Sequence, residues 1–90
     1  MIHESLKRRD VADAKAIGRR IRAARKSRRW TQKALGEVVG VTGQSVWYWE
    51  TGRALPRTFG MLIRLCHALR RSADWLVMGR ERGARHWKPS

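Results

Sequence analysis

The sequence is poor in cysteine, proline and acidic residues, and these shortages exclude several classes of protein. Its 90 residues include one cysteine, two prolines and seven acidic residues. A single cysteine excludes an internal disulfide and a four-cysteine metal site, and gives no sign of an oxidising compartment. No apolar run reaches the length of a signal peptide or a membrane helix, so we expect neither secretion nor membrane insertion. One small cytoplasmic domain is therefore expected.

Groups that catalyse reactions are also scarce. Cys66 and His67 are adjacent, but neighbouring side chains on a helix diverge by about 100°, and Cys66 falls on an apolar face. The other histidines, His3 and His86, lie near the two ends. The sequence has no paired carboxylates at a defined spacing, no glycine-rich phosphate loop and no group of Cys, His or Asp at metal spacing. We expect no enzyme, no cofactor and no metal site, and a place in the core for Cys66.

Positive charge is what the sequence has in excess. It contains 21 Lys or Arg residues, and its formal net charge is +14. Residues 1–33 hold twelve basic and three acidic residues, and residues 53–90 hold nine and two. Residues 34–52 hold Glu37, Glu50 and no basic residue. The imbalance predicts an anionic partner. The alternative interpretation is a charged surface that is merely solvated.

Residues 30–52 have the pattern of two short helices that cross closely. Apolar side chains recur at helical spacing, and glycines fall at the crossing and the turn: Leu35, Val39, Val41, Val46 and Trp49 are apolar, and Gly36 and Gly40 are the glycines. Gly40 suits the positive φ that ends a first helix, and Thr42 is placed to cap a second through its hydroxyl. Two helices joined by so short a turn predict a helix-turn-helix.

This stretch and its flanks resemble a known family from Ile17 to Gly79, about two-thirds of the chain. The matching residues are Ile17-Gly18-Arg19-Arg20-Ile21-Arg22, Arg25, Trp30-Thr31-Gln32, Leu35, Gly40-Val41-Thr42, Trp49-Glu50-Thr51-Gly52, Pro56 and Asp74-Trp75-Leu76. The segment is similar to the helix-turn-helix domain of the phage repressor, Cro and XRE-type bacterial regulators. The resemblance implies an all-α, lambda-repressor-like bundle of five short helices that binds duplex DNA, commonly as a dimer, to regulate transcription.

The chain divides into a basic N-terminal arm (1–12), the helix-turn-helix domain (13–79) and a basic C-terminal tail (80–90). Hydrophobic spacing predicts a first helix near residues 14–28, capped by Asp13, with inward residues Ala14, Ile17, Ile21 and Ala24. Thr31 is expected to cap a second helix that ends at Val39. A third helix is expected from residue 43 to about residue 51, with Gly52 ending it.

Two further helices are expected after a loop. Thr58 would cap a fourth that ends near Leu69, and Ser72 a short fifth that contains Trp75 and Leu76. The inward residues of the fourth helix are expected to be mostly Phe59, Leu62, Ile63, Leu65, Cys66 and Leu69. Arg70 and Arg71 replace the glycine and aliphatic residue usual in similar domains, so the mode of dimerisation is left open. Trp87 in the tail is one candidate for it.

The outward side of the third helix is the predicted base-reading surface. If Val46 and Trp49 point inward, then at 100° per residue the opposite side points outward. The predicted base-reading residues are Gly43, Gln44, Trp47, Tyr48 and Thr51. Gln44 lies near the end that enters the major groove in this docking geometry, and its amide can pair with adenine N6 and N7. For Trp47 the alternative is packing against the protein's own arm or a second subunit.

Phosphate contacts are expected on both sides of this surface. The predicted phosphate-binding residues are Gln32, Thr42, Arg28, Arg29, Lys33, Arg53 and Arg57. Gln32 opens the second helix, where the resemblance implies a glutamine against the DNA backbone, and free N–H groups at helix starts favour anions. For any single arginine, plain solvation is the alternative.

Arg25 and Glu50 are expected to form a structural ion pair. In similar domains an arginine of the first helix pairs with the glutamate that ends the recognition helix. Such a pair would set the angle at which the third helix is presented, so a structural role is expected for both residues rather than a contact with DNA.

Two functions follow as hypotheses. The first is a sequence-specific DNA-binding transcription regulator, a cytoplasmic, nucleoid-associated protein of a bacterium or phage. It would act as a homodimer on a two-fold symmetric operator with half-sites about 34 Å apart. The alternative is a protein-interaction module, such as an antitoxin-like partner binder, that docks a protein through Trp47 and Tyr48 and binds nucleic acid only nonspecifically. A membrane partner is not expected, because no continuous amphipathic face has a cationic rim.

Overall fold

The computed structural model describes residues 2–80, with side chains from residue 14 onwards. In chain order the helices are α1 (Ile2–Ser27), α2 (Gln32–Val39), α3 (Gly43–Glu50), α4 (Phe59–Leu69) and α5 (Asp74–Met78), the last a single π-helical turn. The described part of the chain contains no strand. The expected all-α bundle with a helix-turn-helix is confirmed.

The start of α1 differs from the prediction. The helix begins at Ile2 and is 26 residues long, so the expected start at residue 14 and the cap at Asp13 are wrong. Residues 2–17 contain no glycine or proline, and nothing in the local sequence stops the helix there. Hydrophobic periodicity indicates which part of a helix packs, and it does not mark where the helix begins. Of the four predicted inward residues, Ile17, Ile21 and Ala24 are buried and Ala14 is half-buried.

The helix-turn-helix is formed by α2 and α3. Thr31 caps α2 by accepting the backbone N–H of Ala34 at 3.0 Å, and Thr42 caps α3 by accepting that of Ser45 at 3.1 Å. Between the helices Gly40 has a φ of +91°, in the left-handed region where glycine has no steric penalty. The caps and the turn predicted for these two helices are confirmed.

The core lies between the second half of α1, which packs against α3, α4 and α5, and α2, which packs against α3 and α4. Its buried apolar residues come from all five helices: Ile17, Ile21, Ala24, Leu35, Val39, Val46, Trp49, Leu65, Cys66, Leu69 and Leu76. Gly18 lets α1 approach the end of α3, because a Cβ atom there would lie 2.6 Å from the Glu50 carbonyl oxygen. The position of α3 on the domain is thus set by close backbone contact as well as by side-chain packing.

The C-terminal helices begin where predicted, and of the residues expected to face inward on α4, Leu65, Cys66 and Leu69 are buried and Leu62 and Ile63 are half-buried. Thr58 and Ser72 each accept a backbone N–H, from Met61 and Trp75 respectively, at 3.0 Å. Phe59 was expected to face inward on α4, and this is wrong, because its side chain is 75% exposed. As the first residue of α4 it lies at the edge of the bundle, beyond the buried stripe of that helix.

Arginines stabilise the ends of two helices in this fold. Arg20 donates from Nη1 to the carbonyl oxygens of Leu76 at 2.9 Å and Val77 at 3.2 Å, and Arg64 donates to that of Val39 at 3.3 Å. Carbonyl groups at the end of a helix have no partner within the helix, so these cations satisfy them. Arg70 ends α4 with a φ of +57°, at the position where the sequence departs from the glycine of similar domains. Within residues 2–80, no helix is both long and apolar enough to cross a membrane.

Candidate nucleic-acid interface

The two sides of α3 are sharply different. Val46 is fully buried, and Trp49 and Glu50 are 6% and 8% exposed. On the opposite side Gln44 and Thr51 are exposed, and Trp47 and Tyr48 keep 37% and 39% of their surface accessible. The outward direction predicted for Gln44, Trp47, Tyr48 and Thr51 is confirmed. We call these four residues the outer face of α3.

Two aromatic rings and a guanidinium group form a cluster on the outer face. The ring centroids of Trp47 and Tyr48 are 5.3 Å apart with the planes tilted by 58°. The guanidinium carbon of Arg53 lies 5.0 Å from the centroid of the Trp47 ring, within the range of a cation–π contact. Trp47 therefore packs against neighbours on its own face, and Arg53 brings a positive charge to the end of α3.

Gln44 is held by a neighbour one helical turn away. Its Nε2 donates to the Tyr48 hydroxyl oxygen at 3.2 Å. Sequence reasoning missed this bond, although the spacing of four residues on one helix is the signal that would have indicated it. Gln44 and Trp47 also line a shallow groove together with Gln32 and Gly43. The groove lies at the N-terminal end of α3, beside the predicted base-reading amide.

Gly43 has a packing role that the sequence did not suggest. A Cβ atom at this position would lie 3.1 Å from the Cα atom of Lys33, which is tighter than most such contacts. The lack of a side chain therefore lets the first turn of α3 lie directly against the start of α2. Its predicted place in base reading stays a prediction.

The inner side of α3 carries the expected ion pair. Arg25 donates from Nε to Glu50 Oε2 at 2.6 Å and from Nη2 to Glu50 Oε1 at 3.0 Å. Its Nη1 donates to the Trp30 carbonyl oxygen at 2.8 Å. Both charged residues are 8% exposed, so the pair is buried. The predicted structural pair is present, and it ties α1 to the end of α3.

Gln32 joins this pair rather than standing free at the surface. Its Nε2 donates to Glu50 Oε1 at 3.0 Å. The first residue of α2 is thereby connected to the last residue of α3, and its side chain is half-buried. The amide nitrogen has a second N–H, so the contact between Gln32 and a phosphate stays a prediction, now for a side chain that the fold already orients.

The predicted phosphate-binding residues fall into two groups. The exposed group consists of Arg29, Lys33, Thr42, Arg53 and Arg57. The Thr42 hydroxyl also caps α3, and it donates to the Ser45 hydroxyl at 3.3 Å. Arg28 is half-buried with its guanidinium 4.5 Å over the Trp30 ring, and its Nε atom is buried without a hydrogen-bond partner. Arg28 is thus partly used in packing, whereas the exposed group is open to an anion.

Reactive groups are not gathered at this surface. Cys66 lies in the core, as expected, and burial raises the pKa of its thiol. A raised thiol pKa lowers the fraction of thiolate, which is the nucleophilic form. Among the side chains that the structure describes, no group of three or more His, Cys, Asp or Glu residues is placed to hold a metal ion. The chemistry available at the outer face is recognition by hydrogen bonds, stacking and charge.

Comparison with known proteins gives the same assignment for the motif. A family model described as a helix-turn-helix domain matches residues 16–76. The chain is 40% identical over 63 residues to repressor protein C2 of Salmonella phage P22, a match that covers 70% of this chain and 29% of the repressor. The match thus spans less than a third of the length of that relative.

A solved structure agrees with this match. The fold is similar to a crystal structure of the P22 c2 repressor protein in complex with synthetic operator 9T in the presence of Tl+. The TM-score is 0.68 at 39% sequence identity, and the match covers 71% of this chain and 96% of that one. Because the family model spans more than half of the sequence, the chain belongs to the helix-turn-helix domain family, and its resemblance to the phage repressors is confirmed.

Proposed function

We propose that this domain binds operator DNA as a sequence-specific transcription regulator of the repressor type, with the outer face of α3 in the major groove. The observation that carries the proposal is the exposed, uncharged outer face of α3 on a fold shared with a repressor that was crystallised with operator DNA. Amide, hydroxyl and aromatic groups suit base edges, which present hydrogen-bonding groups and the thymine methyl. The domain would act in the cytoplasm, on the nucleoid.

Charge supports the same placement of DNA. Arg29, Lys33, Arg53 and Arg57 are exposed, whereas α3 has no cation of its own. Backbone N–H groups at the starts of α2 and α3 add partial positive charge. Cations would therefore neutralise phosphates and set the register, while the neutral outer face contacts bases. Binding is expected to weaken steeply with salt, because each phosphate contact releases counterions.

We further propose that the regulator acts as a homodimer. The support is a group of exposed apolar side chains around the start of α4 and the end of α5: Leu55 is 42% exposed, Phe59 75% and Met78 53%. Apolar patches of this kind favour association. Two domains related by a two-fold axis would place their α3 helices in successive major grooves, about 34 Å apart. Sedimentation of the intact protein and of Phe59→Asp measures this, and the variant is expected to be the more monomeric of the two.

The test of the proposed function is selection of bound duplexes from a random library at about 0.15 M salt. The intact protein is compared with Gln44→Ala and with His67→Ala, a control at an exposed position on α4 that is outside the outer face. We expect the intact protein and the control to enrich the same two-fold symmetric site, and Gln44→Ala to alter or lose it. Equal, unenriched retention by all three proteins would contradict the proposal, and would favour a protein partner for Trp47 and Tyr48.

A further inference from the structure

A hydrogen bond on the outer face decides how one base-reading side chain is presented. The Gln44 amide donates from Nε2 to the Tyr48 hydroxyl oxygen at 3.2 Å, and both side chains are exposed. The Tyr48 ring is itself packed against Trp47, with centroids 5.3 Å apart. A long, flexible amide is therefore held by a rigid aromatic side chain before any partner arrives.

From this geometry we infer that Tyr48 is a positioning residue, which orients the Gln44 amide so that it accepts adenine and rejects guanine. The inference rests on the proposed function. It adds to the adenine contact expected for Gln44 the residue that sets the preference, without needing a base contact of its own.

The preference follows from counting donors and acceptors on the amide. A glutamine amide has two N–H donors and one carbonyl acceptor. Because the Tyr48 oxygen accepts one N–H, one donor and one acceptor are left for a base edge. Adenine presents the complementary pair in the major groove, the N7 acceptor and the N6 amino donor.

Guanine presents two acceptors, N7 and O6, at the same places. The Gln44 carbonyl oxygen would then face guanine O6, and neither atom could donate a hydrogen bond. Polar groups desolvated without partners weaken binding. A free amide could turn over and offer its N–H groups to guanine instead, and the bond to Tyr48 opposes that rotation. Discrimination at this position is thus assigned to the pair of side chains rather than to Gln44 alone.

Tyr48→Phe is the variant that isolates the bond, since it keeps the ring against Trp47 and removes only the oxygen. The base position is the one whose preference Gln44→Ala abolishes in the selection. Dissociation constants at that position are measured for adenine, guanine and 2-aminopurine, which lacks the amino group at C6. Thermal unfolding of each variant confirms that it is folded.

The intact protein is expected to prefer adenine over guanine by on the order of tenfold or more, and to lose affinity for 2-aminopurine. Tyr48→Phe is expected to keep binding the operator while losing most of the preference between adenine and guanine. Adding Tyr48→Phe to Gln44→Ala is expected to change the preference no further, because the two residues act as one unit.

Three results would overturn the inference while the proposed function stands. They are an unchanged preference in Tyr48→Phe, a preference for guanine in the intact protein, and a selected operator on which Gln44→Ala has no effect. A preference for guanine would mean that the hydroxyl donates to the amide oxygen and leaves both N–H groups free. If no operator is enriched at all, the proposed function fails and the inference fails with it.

Discussion

The two sides of α3 differ in burial, although glutamine and arginine side chains contact both of them. On the inner side Glu50 is buried and receives hydrogen bonds from Arg25 and Gln32. On the outer side Gln44 and Trp47 are open to solvent, and their hydrogen-bonding and stacking partners, Tyr48 and Arg53, lie at the same surface. Burial rather than residue type therefore distinguishes the two sides, and we propose that it separates a structural role from recognition. The inner side should control stability, and the outer side should control binding.

Breaking the buried ion pair tests the inner side most severely. Glu50→Gln leaves the Arg25 guanidinium buried without a countercharge, and is expected to lower the free energy of unfolding by about 3–5 kcal/mol. DNA binding would be impaired as a secondary effect, through loss of the folded state. Urea or thermal denaturation followed by circular dichroism measures the change, with the exposed Glu37→Gln as the control. An unchanged unfolding curve for Glu50→Gln would show that the pair contributes nothing.

Close backbone packing is the next test of the inner side. An added Cβ in Gly18→Ala would lie 2.6 Å from the Glu50 carbonyl oxygen, so α1 and α3 must move apart. We expect a loss of about 1–3 kcal/mol in the free energy of unfolding. Gly60→Ala is the matched control, since a Cβ there meets nothing closer than the Thr58 hydroxyl at 3.8 Å. Equal stabilities of the two variants would mean that α1 tolerates a wider separation from α3.

The N-terminal cap of α3 belongs to neither the inner nor the outer side, and it should have a smaller effect on stability. Thr42→Ala removes the hydroxyl that accepts the Ser45 N–H, and is expected to cost about 1 kcal/mol. For a domain of this size that corresponds to a fall in Tm of about 4–8 °C. Thr42→Ser keeps the hydroxyl and serves as the control. A Tm for Thr42→Ala equal to that of Thr42→Ser would contradict the assigned cap.

The outer side should respond in the opposite way. Trp47→Ala is expected to change the free energy of unfolding by less than about 0.5 kcal/mol, as is usual for surface substitutions. Its affinity for the selected operator should nevertheless fall, because the ring is accessible and flanks Gln44. Thermal unfolding and a binding titration on the same sample separate the two effects. A large loss of stability with unchanged affinity would place Trp47 on the structural side of the helix.

The residues from which this fold could be predicted are those whose side chains favour only a few local backbone conformations. Gly40 between two apolar runs indicated the turn, and Thr31, Thr42, Thr58 and Ser72 marked helix starts, because a hydroxyl at that position satisfies a free backbone N–H. The prediction was wrong in two places. The helix α1 begins at Ile2 instead of residue 14, and the side chain of Phe59 is exposed instead of buried. Periodicity describes one helix at a time. It cannot say where the bundle ends, and so which apolar residue lies beyond its edge.

Predictions for the candidate site also differ in outcome. The outward direction of Gln44, Trp47, Tyr48 and Thr51 followed from the 100° turn per residue and is confirmed. The assignment of Gly43 and of the phosphate-binding residues stays a prediction, and the part assigned to Trp87 lies outside the described residues. The sequence did not predict that two side chains share one partner, as Arg25 and Gln32 do when both donate to the Glu50 carboxylate.

The sequence by itself determined which segments form helices, the Thr and Ser caps of the helices after α1, the helix-turn-helix and the excess of positive charge, since these depend on composition and on residues close together in the chain. Only the tertiary structure decided which basic side chains stabilise the fold, because Arg20 and Arg64 donate hydrogen bonds to carbonyl groups 25 or more residues away in the sequence. It also decided that Gln32 completes the buried pair and that Gly18 and Gly43 serve close packing. Such contacts depend on the distance between elements in space, which no local pattern encodes.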